Sequence, residues 1–279
     1  MPAPTVSAVV LSYRHPAALA VALETLLAQR CPPDEVLVVD QGTPEGDLSP
    51  LRTRFPQAVW ILTGAGNLGY TGGMNAGLAR AKGDLVLFLC DDCRLDPDFL
   101  RPLAEVFSDA SVGLASGVQD PGIYAGGEIR LDPWPRLELW TSPKGPAPYE
   151  TAYATGAAFL ARRSLMEDLH GLDPAFFMYW EDVDLSLRAR KAGWRILCVP
   201  QARFSNFPGE RDSLPADRRR VAFHKAKNSF LVMARHAPKG ALPGFLARFY
   251  GPHLLRTLLF GPFRLASLRG MLWPLAHAR

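Results

Sequence analysis

Carboxylates occur at two places in this 279-residue chain where their neighbours would change their chemistry. Asp91 and Asp92 stand side by side just beyond Leu85-Val-Leu-Phe-Leu89. Five apolar residues in a row between polar ends read as a strand buried on both faces, as in a parallel sheet. Acids at the carboxyl end of such a strand sit where open α/β sheets bind their ligands. Adjacent acids repel, and a divalent cation would neutralise them. A solvated Asp-Asp turn accounts for the same two residues equally well. The second place is Glu181-Asp182-Val-Asp184, preceded by the almost wholly apolar Phe176-Phe-Met-Tyr-Trp180. A carboxylate placed against aromatics loses hydration, so its pKa rises and it becomes a better base near neutral pH. On a helix Asp184 pairs with Arg188, four residues on. Asp182 has only Ser186 at that spacing and is the freer acid. All three acids would also suit the positive N-terminus of a helix with no catalysis involved.

The elements that must carry these acids follow from hydrophobic spacing and from the breakers between runs. Residues 5–12 read as a first strand and 17–29 as a helix with Leu19, Leu23, Leu26 and Leu27 on one face. Cys31-Pro32-Pro33 stops it, and residues 35–39 form a second buried strand ending in Asp40-Gln41-Gly42. Strand, helix and strand within forty residues make a right-handed βαβ unit with parallel strands. Val59 to Leu62 give a third strand, residues 74–82 a helix stopped by Gly83, and Asp96-Pro97 the start of another helix. Further strands are predicted at 112–118, 155–160 and 194–199. Further helices are predicted at 163–169 and 181–192, the latter capped by Gly193. Residues 119–150, with Trp134 and Trp140, read as a long irregular excursion, a common place for binding loops.

Two motifs mislead when taken alone. Gly64-x-Gly66-x-x-Gly69 follows a strand and precedes a helix, as a dinucleotide fingerprint does. That fingerprint belongs on the first βα turn, which here is Tyr13-Arg14-His15, with no glycine. Plain turn chemistry at positive φ explains the glycines. Cys90 and Cys93 form a C-x-x-C, but no second ligand pair supports zinc and two acids separate the sulfurs. Reduced thiols in a cytosolic protein are the expectation.

Apolar residues make up 48% of the chain and charged residues 21%, as in an ordinary globular protein with a packed core. The net charge of +4 is concentrated after residue 210, where Arg and Lys recur and Asp212 and Asp217 are the only acids. That asymmetry points to an anionic partner. Arg and Lys alternate there with Phe and Leu, which fits short amphipathic helices on an anionic membrane surface, or equally a helical lid on the main domain. No nucleic-acid-binding module is visible, so nucleic acid is not expected as a partner. No run approaches about 20 apolar residues, and the N-terminus has no basic leader.

Taken together and in this order, the motifs resemble a family-2 inverting glycosyltransferase of the rhamnosyltransferase-like kind. The fold so implied is the GT-A fold, an α/β architecture with a Rossmann-like, mostly parallel central sheet flanked by helices. The likeness runs over residues 5–206 and more loosely to the end. Val10-Leu-Ser12-Tyr13-Arg14-His15 resembles the first-strand segment that ends at the nucleotide base. Val38-Val-Asp40-Gln-Gly resembles the second strand, whose aspartate contacts the base. Asn67-Leu-Gly69-Tyr-Thr-Gly-Gly-Met-Asn75-Ala-Gly77 is similar to the loop and helix under the nucleotide sugar. Phe177-Met-Tyr-Trp180-Glu181-Asp182-Val-Asp-Leu-Ser-Leu-Arg188 is similar to the acceptor-side acid motif.

The resemblance implies roles. Asp92 falls on the metal-binding end of a DxD-type motif, with Asp91 beside it on the nucleotide sugar and Cys90 where Asp or Asn is usual. Asn206 falls where relatives often supply a metal-binding His. Asp182 falls on the catalytic base, with Trp180 and Glu181 on the acceptor side. The implied cofactor is Mg²⁺ or Mn²⁺, the donor a UDP- or dTDP-sugar, and the acceptor a glycan, polysaccharide or lipid-linked hydroxyl. Residues 1–210 would form the catalytic domain and 211–279 a basic helical extension. A cytoplasmic protein resting on the inner face of the cell membrane is expected. Cys90 and Asn206 also fit a catalytically weakened, nucleotide-sugar-binding scaffold of the same fold. A nucleotidyltransferase would need an early glycine-rich, basic loop, which residues 12–20 lack.

Overall fold

The computed structural model describes residues 3–64, 66–132, 134–206, 215–238, 240–247, 251–252, 255 and 268–273. The chain opens with β1 (Val6–Ser12), buried along its whole length. Proline at the first position of α1 (Pro16–Leu27) presets the helical φ, and Ala18, Leu19, Ala22, Leu23 and Leu26 form its buried stripe. Then come β2 (Glu35–Asp40), α2 (Glu45–Arg54) and β3 (Val59–Leu62). Helix α2 has no apolar stripe to announce it. It buries only Leu48 and Leu51, and its charges instead follow the helix dipole, Glu45 and Asp47 first, Arg52 and Arg54 last.

Next in order are α3 (Gly69–Leu78), β4 (Leu85–Cys90), β5 (Cys93–Leu95), α4 (Leu100–Glu105) and β6 (Val112–Asp120). Helix α3 begins inside the glycine-rich loop, five residues before the predicted start at 74. Gly64, Gly66 and Gly69 all have positive φ, so the loop is turn chemistry. Asp96-Pro97 does not open a helix. Helix α4 starts later, and the side chain of Gln29 at the end of α1 caps it, Oε1 accepting from Phe99 N at 2.9 Å and Leu100 N at 3.0 Å.

The stretch 119–150 is more regular than its composition suggests. It contains the ribbon of β7 (Gly127–Arg130) and β8 (Arg136–Leu139), then β9 (Tyr149–Glu150). After β10 (Ala158–Arg162), α5 (Arg163–Asp168) and α6 (Glu181–Lys191) comes β11 (Arg195–Asn206). Strand β11 does not end at Pro200. Its pairing with β6 jumps from Val199↔Gly117 to Arg203↔Val118, and the proline sits in that interruption, where no ladder N–H is needed. Helix α7 (Pro215–His236) is one continuous helix, followed by α8 (Ala241–Phe245). Arg211, Arg248, Leu254, Arg256, Leu258, Leu259, Phe260, Arg264 and Arg279 of the basic tail lie outside the described residues.

The main sheet runs β3-β2-β1-β4-β10-β6-β11-β5, with β9 also on β11. Strands β3, β2, β1 and β4 are parallel, as are β6 and β11. Strand β10 enters antiparallel between β4 and β6. Alternate residues feed opposite faces. Ala8, Val10, Leu85, Leu87 and Leu89 pack with Leu19, Leu23, Leu26 and Leu103 on one side. Val9, Leu11, Val86 and Phe88 pack with Met74, Leu165 and Leu185 on the other. The carboxyl ends of β1, β2 and β4 therefore share one rim, and β5 and the end of β11 reach that rim by pairing Asn206 with Cys93.

Gln29 is buried and also donates from Nε2 to the carbonyls of Thr25 and Asp96. Gln29→Ala would strand these backbone groups. It should cost about 2 kcal/mol of stability and lower Tm by roughly 4–8 °C, read by denaturant and thermal unfolding.

Candidate active site

The site is assembled around the turn Thr155-Gly156-Ala157, just before β10. Gly156 N donates to Asp182 Oδ2 at 3.0 Å. Gly156 O accepts from Tyr70 OH at 2.6 Å and faces Cys90 Sγ at 3.7 Å. Ala157 O accepts from Cys90 N at 2.9 Å and lies 3.2 Å from Cys93 Sγ. The acid of α6 and the acid-rich end of β4 therefore meet across two consecutive residues. A Cβ on Gly156 would press on the Asp182 carboxylate.

Asp182 sits in the first turn of α6, half-buried. Tyr153 OH donates to Oδ2, and Val183 N donates to Oδ1 at 2.9 Å. Burial raises its pKa above the ordinary carboxylate value, while the bonds from Tyr153, Gly156 and Val183 hold that rise in check. The result is an oriented, poorly hydrated carboxylate. Glu181 is buried and its Oε2 has no hydrogen-bond partner. Burial first, then the neighbouring charges of Asp182 and Asp184, push its carboxyl well above the usual range. Asp184 is buried too, yet His236 Nε2 and Arg188 Nε, each 2.7 Å away, bring its pKa below the ordinary value. The expected Asp184–Arg188 pair is present, and Asp184 belongs to the frame.

Asp92 and Asn206 come to the same place. Their Oδ1 atoms lie 3.9 Å and 3.7 Å from Cys93 Sγ. Among the described residues no group of three or more His, Cys, Asp or Glu side chains could hold a metal ion. Two hard oxygen donors are what a Mg²⁺ or Mn²⁺ ion needs from protein when diphosphate oxygens complete its shell. The donor set thus fits an ion that arrives with a diphosphate. None of the four cysteines is in a disulfide, and burial raises the Cys93 thiol well above its usual value. Asp91 is fully buried, its Oδ2 accepting from Tyr13 N at 3.3 Å and its N–H donating to Leu11 O.

Polar side chains gather at the ends of β1 and β2. Ser12 and Asp40 are paired in register and buried. Asp40 Oδ2 accepts from Gly42 N and Thr43 N at 3.1 and 3.0 Å. Asp40 Oδ1, Ser12 Oγ, Thr43 Oγ1 and, in α3, Thr71 Oγ1 are buried with no hydrogen-bond partner, unusual for polar groups in a folded interior. Arg14 Nε donates to Gly42 O at 3.1 Å. The guanidiniums of Arg14 and Arg220 each lie 5.5 Å from the Tyr13 ring centre. Burial opposes ionisation of Tyr13, but hydrogen bonds with Arg220 and Asn67 and the charge of Arg14 bring its phenol below its ordinary pKa.

Asn67 Oδ1 caps Gly69 N at 2.7 Å. Gly69 must be glycine, because its φ is +74° and a Cβ would collide with the carbonyl and ring of Phe177. Asn75, expected under the nucleotide sugar, is engaged elsewhere. Its Nδ2 donates to Leu172 O at 2.7 Å and its Oδ1 accepts from Leu172 N at 2.9 Å. That reciprocal pair fastens α3 to the turn after α5. Trp180 is half-buried and packs in a cluster with Tyr124, Tyr153 and Phe176. Phe177, Tyr179 and Trp180 all have φ between +64° and +71°, a strain of order 1–3 kcal/mol each.

Sequence inspection missed Tyr70, Tyr153, Gly156 and Asn228. For Gly156 a signal existed: Ala154-Thr-Gly-Ala157 is a run of small residues before a buried strand, as close approach of backbone requires. Tyr70 and Tyr153 carry no spacing signal, and Asn228 reads as one polar residue in a basic helix.

A family model described as Glycosyl transferase family 2 matches residues 7–184, and one described as Glycosyltransferase like family 2 matches residues 143–230. The chain is similar to the N-acetylglucosaminyl-diphospho-decaprenol L-rhamnosyltransferase of Mycobacterium tuberculosis, 30% identical over 232 residues, 72% of this chain and 75% of the relative. It is 28% identical over 274 residues to the O-antigen biosynthesis protein RfbC of Myxococcus xanthus, which covers 91% of this chain but only 20% of that relative. The fold is similar to that of the mannosyltransferase PcManGT from Pyrobaculum calidifontis in complex with GDP-Man and Mn²⁺, with TM-score 0.63 and 22% identity over 100% of this chain and 77% of that one. It is also similar to S. aureus TarS, with TM-score 0.60 and 16% identity over 96% of this chain and 79% of that one. The architecture is that of the GT-A glycosyltransferases, as the motif order implied.

Glu181 supplies a stability test. Its raised folded-state pKa means that the folded protein binds more protons than the unfolded chain above the ordinary carboxylate range, so stability falls as pH rises through that window. Glu181→Gln removes the effect. Its Tm should exceed that of the unaltered protein by roughly 2–6 °C at pH 8, and the difference should vanish near pH 4, as calorimetry at the two pH values would show.

Proposed function

The chain belongs to glycosyl transferase family 2, and from that premise we propose an inverting transfer of a sugar from a nucleoside diphosphate sugar to a hydroxyl of a lipid-linked or polysaccharide acceptor. The observation that carries the proposal is Asp182: a carboxylate with raised pKa, held by Tyr153 and by Gly156, the residue just before Ala157, whose carbonyl contacts Cys93 beside Asp92. Such a group takes the acceptor's proton as the hydroxyl oxygen attacks the anomeric carbon. The new C–O bond forms on the face opposite the departing diphosphate, whose bond to the sugar breaks with its electron pair. The configuration inverts in one displacement, through an oxocarbenium-like transition state, and no protein nucleophile is needed.

Asp40 Oδ1 and Ser12 Oγ, buried and unsatisfied, suit the imide and ribose of a uridine or thymidine nucleotide. Arg14 and Arg220 flank Tyr13 and add positive charge toward the diphosphate. A Mg²⁺ or Mn²⁺ ion held by Asp92 and Asn206 would stabilise the charge that develops on the leaving diphosphate. Trp180 and Glu181 stand at the acceptor side of Asp182. The Mycobacterium relative's name specifies a lipid-diphosphate-linked acceptor and the Myxococcus relative's name a surface polysaccharide, which supports an acceptor of that class here. No helix among the described residues is long and apolar enough to cross a membrane. The basic segment is proposed to bring the catalytic part to the inner face of a bilayer, where such acceptors are presented.

A screen of UDP-, dTDP- and GDP-sugars with a polyprenyl-diphosphate-linked glycan, read by nucleotide release, should give turnover that requires Mg²⁺ or Mn²⁺. Asp182→Asn should lose about 10²–10⁴-fold in kcat while still binding nucleotide. Full activity in that variant would refute the base assignment. Tyr153→Phe removes a hydrogen bond that stabilises the ionised carboxylate, so the Asp182 pKa rises further. The acidic limb of the pH–rate profile should move to higher pH, with lower kcat below the optimum and little change above it.

A further inference from the structure

The segment that delivers Asp182 is held from outside itself. Phe177, Tyr179 and Trp180 are bulky residues in the left-handed region, and the N-terminal boundary of α6 is Trp180 itself. Such a conformation persists only where surrounding contacts over-determine it. Part of the support comes from α3, where Thr71 N donates to Phe177 O at 3.2 Å. The larger part comes from α7. Asn228 is fully buried and its Nδ2 faces three backbone carbonyls, Phe176 O at 2.8 Å, Met178 O at 2.8 Å and Tyr179 O at 2.6 Å. Three acceptors around one nitrogen fix which way the amide points, since its oxygen would repel them. Its Oδ1 is buried without a partner, so the nitrogen alone accounts for the residue type.

The flanking residues of α7 act in the same place. Lys227 Nζ donates to Ala175 O. The His224 ring stacks on Phe177 with centroids 4.7 Å apart and planes 13° apart. Burial, with the charges of Lys227 and Arg220, lowers the His224 pKa to about 4, so a neutral ring lies on the phenyl face. The groups facing this segment from α7 therefore include Asn228, Lys227 and His224, with Lys225 Nζ 4.8 Å from the Tyr179 ring centre and the Arg235 guanidinium 5.3 Å from that of Phe176 and paired with Asp173; from α6 come the acids Glu181, Asp182 and Asp184.

We propose that Asn228 is the positioning residue for the base: by gathering the carbonyls of Phe176, Met178 and Tyr179 it sets the backbone from which α6 launches, and so aims Asp182 at Tyr153 and Gly156. Fully buried, it acts through that backbone. The assignment of an activity to this aim rests on the proposed reaction, whereas the effect on the loop does not. Other small or hydroxyl side chains could fill the space, but only an amide nitrogen offers two hydrogens to three carbonyls from a neutral group. A carboxylate of the same shape would repel all three.

Hydrogen–deuterium exchange on the ligand-free protein tests the loop. Asn228→Ala should speed exchange of the amides in 176–184 at least tenfold and leave β1, β2 and β4 as protected as in the unaltered protein. Asn228→Ser, with one hydroxyl donor, should fall between the two, and Asn228→Asp should exceed Ala. In the transfer assay with whichever sugar nucleotide the unaltered protein turns over, Asn228→Ala should lower kcat about 10–100-fold with donor KM changed less than about twofold. The acidic limb of its pH–rate profile should shift, because Asp182 loses its fixed donors. Unchanged exchange in 176–184 for both Ala and Ser variants overturns the proposal. So does a loss of activity matched by an equal loss of nucleotide binding or of global protection, which would mark a merely structural residue. If the unaltered protein turns over none of the sugar nucleotides, the proposed reaction fails while the exchange result still decides whether Asn228 sets the loop.

Discussion

The hydrogen bonds that converge on Gly156 are the constraint on which the rest of the molecule depends. Its N–H orients the carboxylate of Asp182 and its carbonyl takes the phenol of Tyr70. The next carbonyl, of Ala157, is bonded to the backbone of Cys90 at the end of β4. A side chain at position 156 would separate these partners, so the absence of a Cβ is a positional requirement. It arises because β10 runs antiparallel between β4 and β6, which brings its leading turn to the same rim as the ends of the parallel strands. A wholly parallel sheet would have sent that turn to the far edge.

Around this turn the protein places carboxylates in sharply different environments within a few residues. Asp184 is paired with Arg188, bonded to His236, and serves the frame. Glu181 is buried with an orphaned oxygen, and Asp182 is half-buried with three donors. Sequence distance does not separate these acids. What separates them is which neighbouring element each one meets, β10 for Asp182 and the last turn of α7 for Asp184. Ser12, Asp40, Thr43 and Thr71 likewise keep buried polar atoms without a hydrogen-bond partner, which marks the ends of β1 and β2 and the start of α3 as places where polar groups are left to be completed.

Most of the scaffold was legible in the sequence because its signals are local. The buried runs of β1, β2 and β4, the proline opening of α1 and the acid motif at the start of α6 all depend on neighbours in the chain. Elements without a local signal were missed or misplaced. Helix α2 has almost no apolar face. Strand β5 is three residues long. The cap of α4 comes from Gln29, about seventy residues away. The ribbon of β7 and β8 hides in a stretch rich in proline and glycine. In the site, Asp40, Asp92 and Asp182 stood out because each follows an apolar run. Asn75 reads in the sequence as an amide under a glycine-rich loop, and only the fold reveals Leu172 as its partner. Tyr153 and Asn228 owe their importance wholly to tertiary proximity.

The interrupted pairing of β11 carries a consequence for how this fold can change over time. Between Val199 and Arg203 three residues are spent against no advance along β6. Three is odd, and side chains alternate faces with every residue. The interruption therefore inverts the facing of everything downstream, and Asn206 meets Cys93 only because of that inversion. Loss or gain of a single residue at Pro200, Gln201 or Ala202 would turn Asn206 away from Asp92 without altering one amino acid of the rim itself. Insertions in pairs would keep the parity. Length variation in this short stretch is thus quantised, and a descendant could swing the Asn206 amide away from Asp92, or back toward it, by a single-codon slip outside the rim.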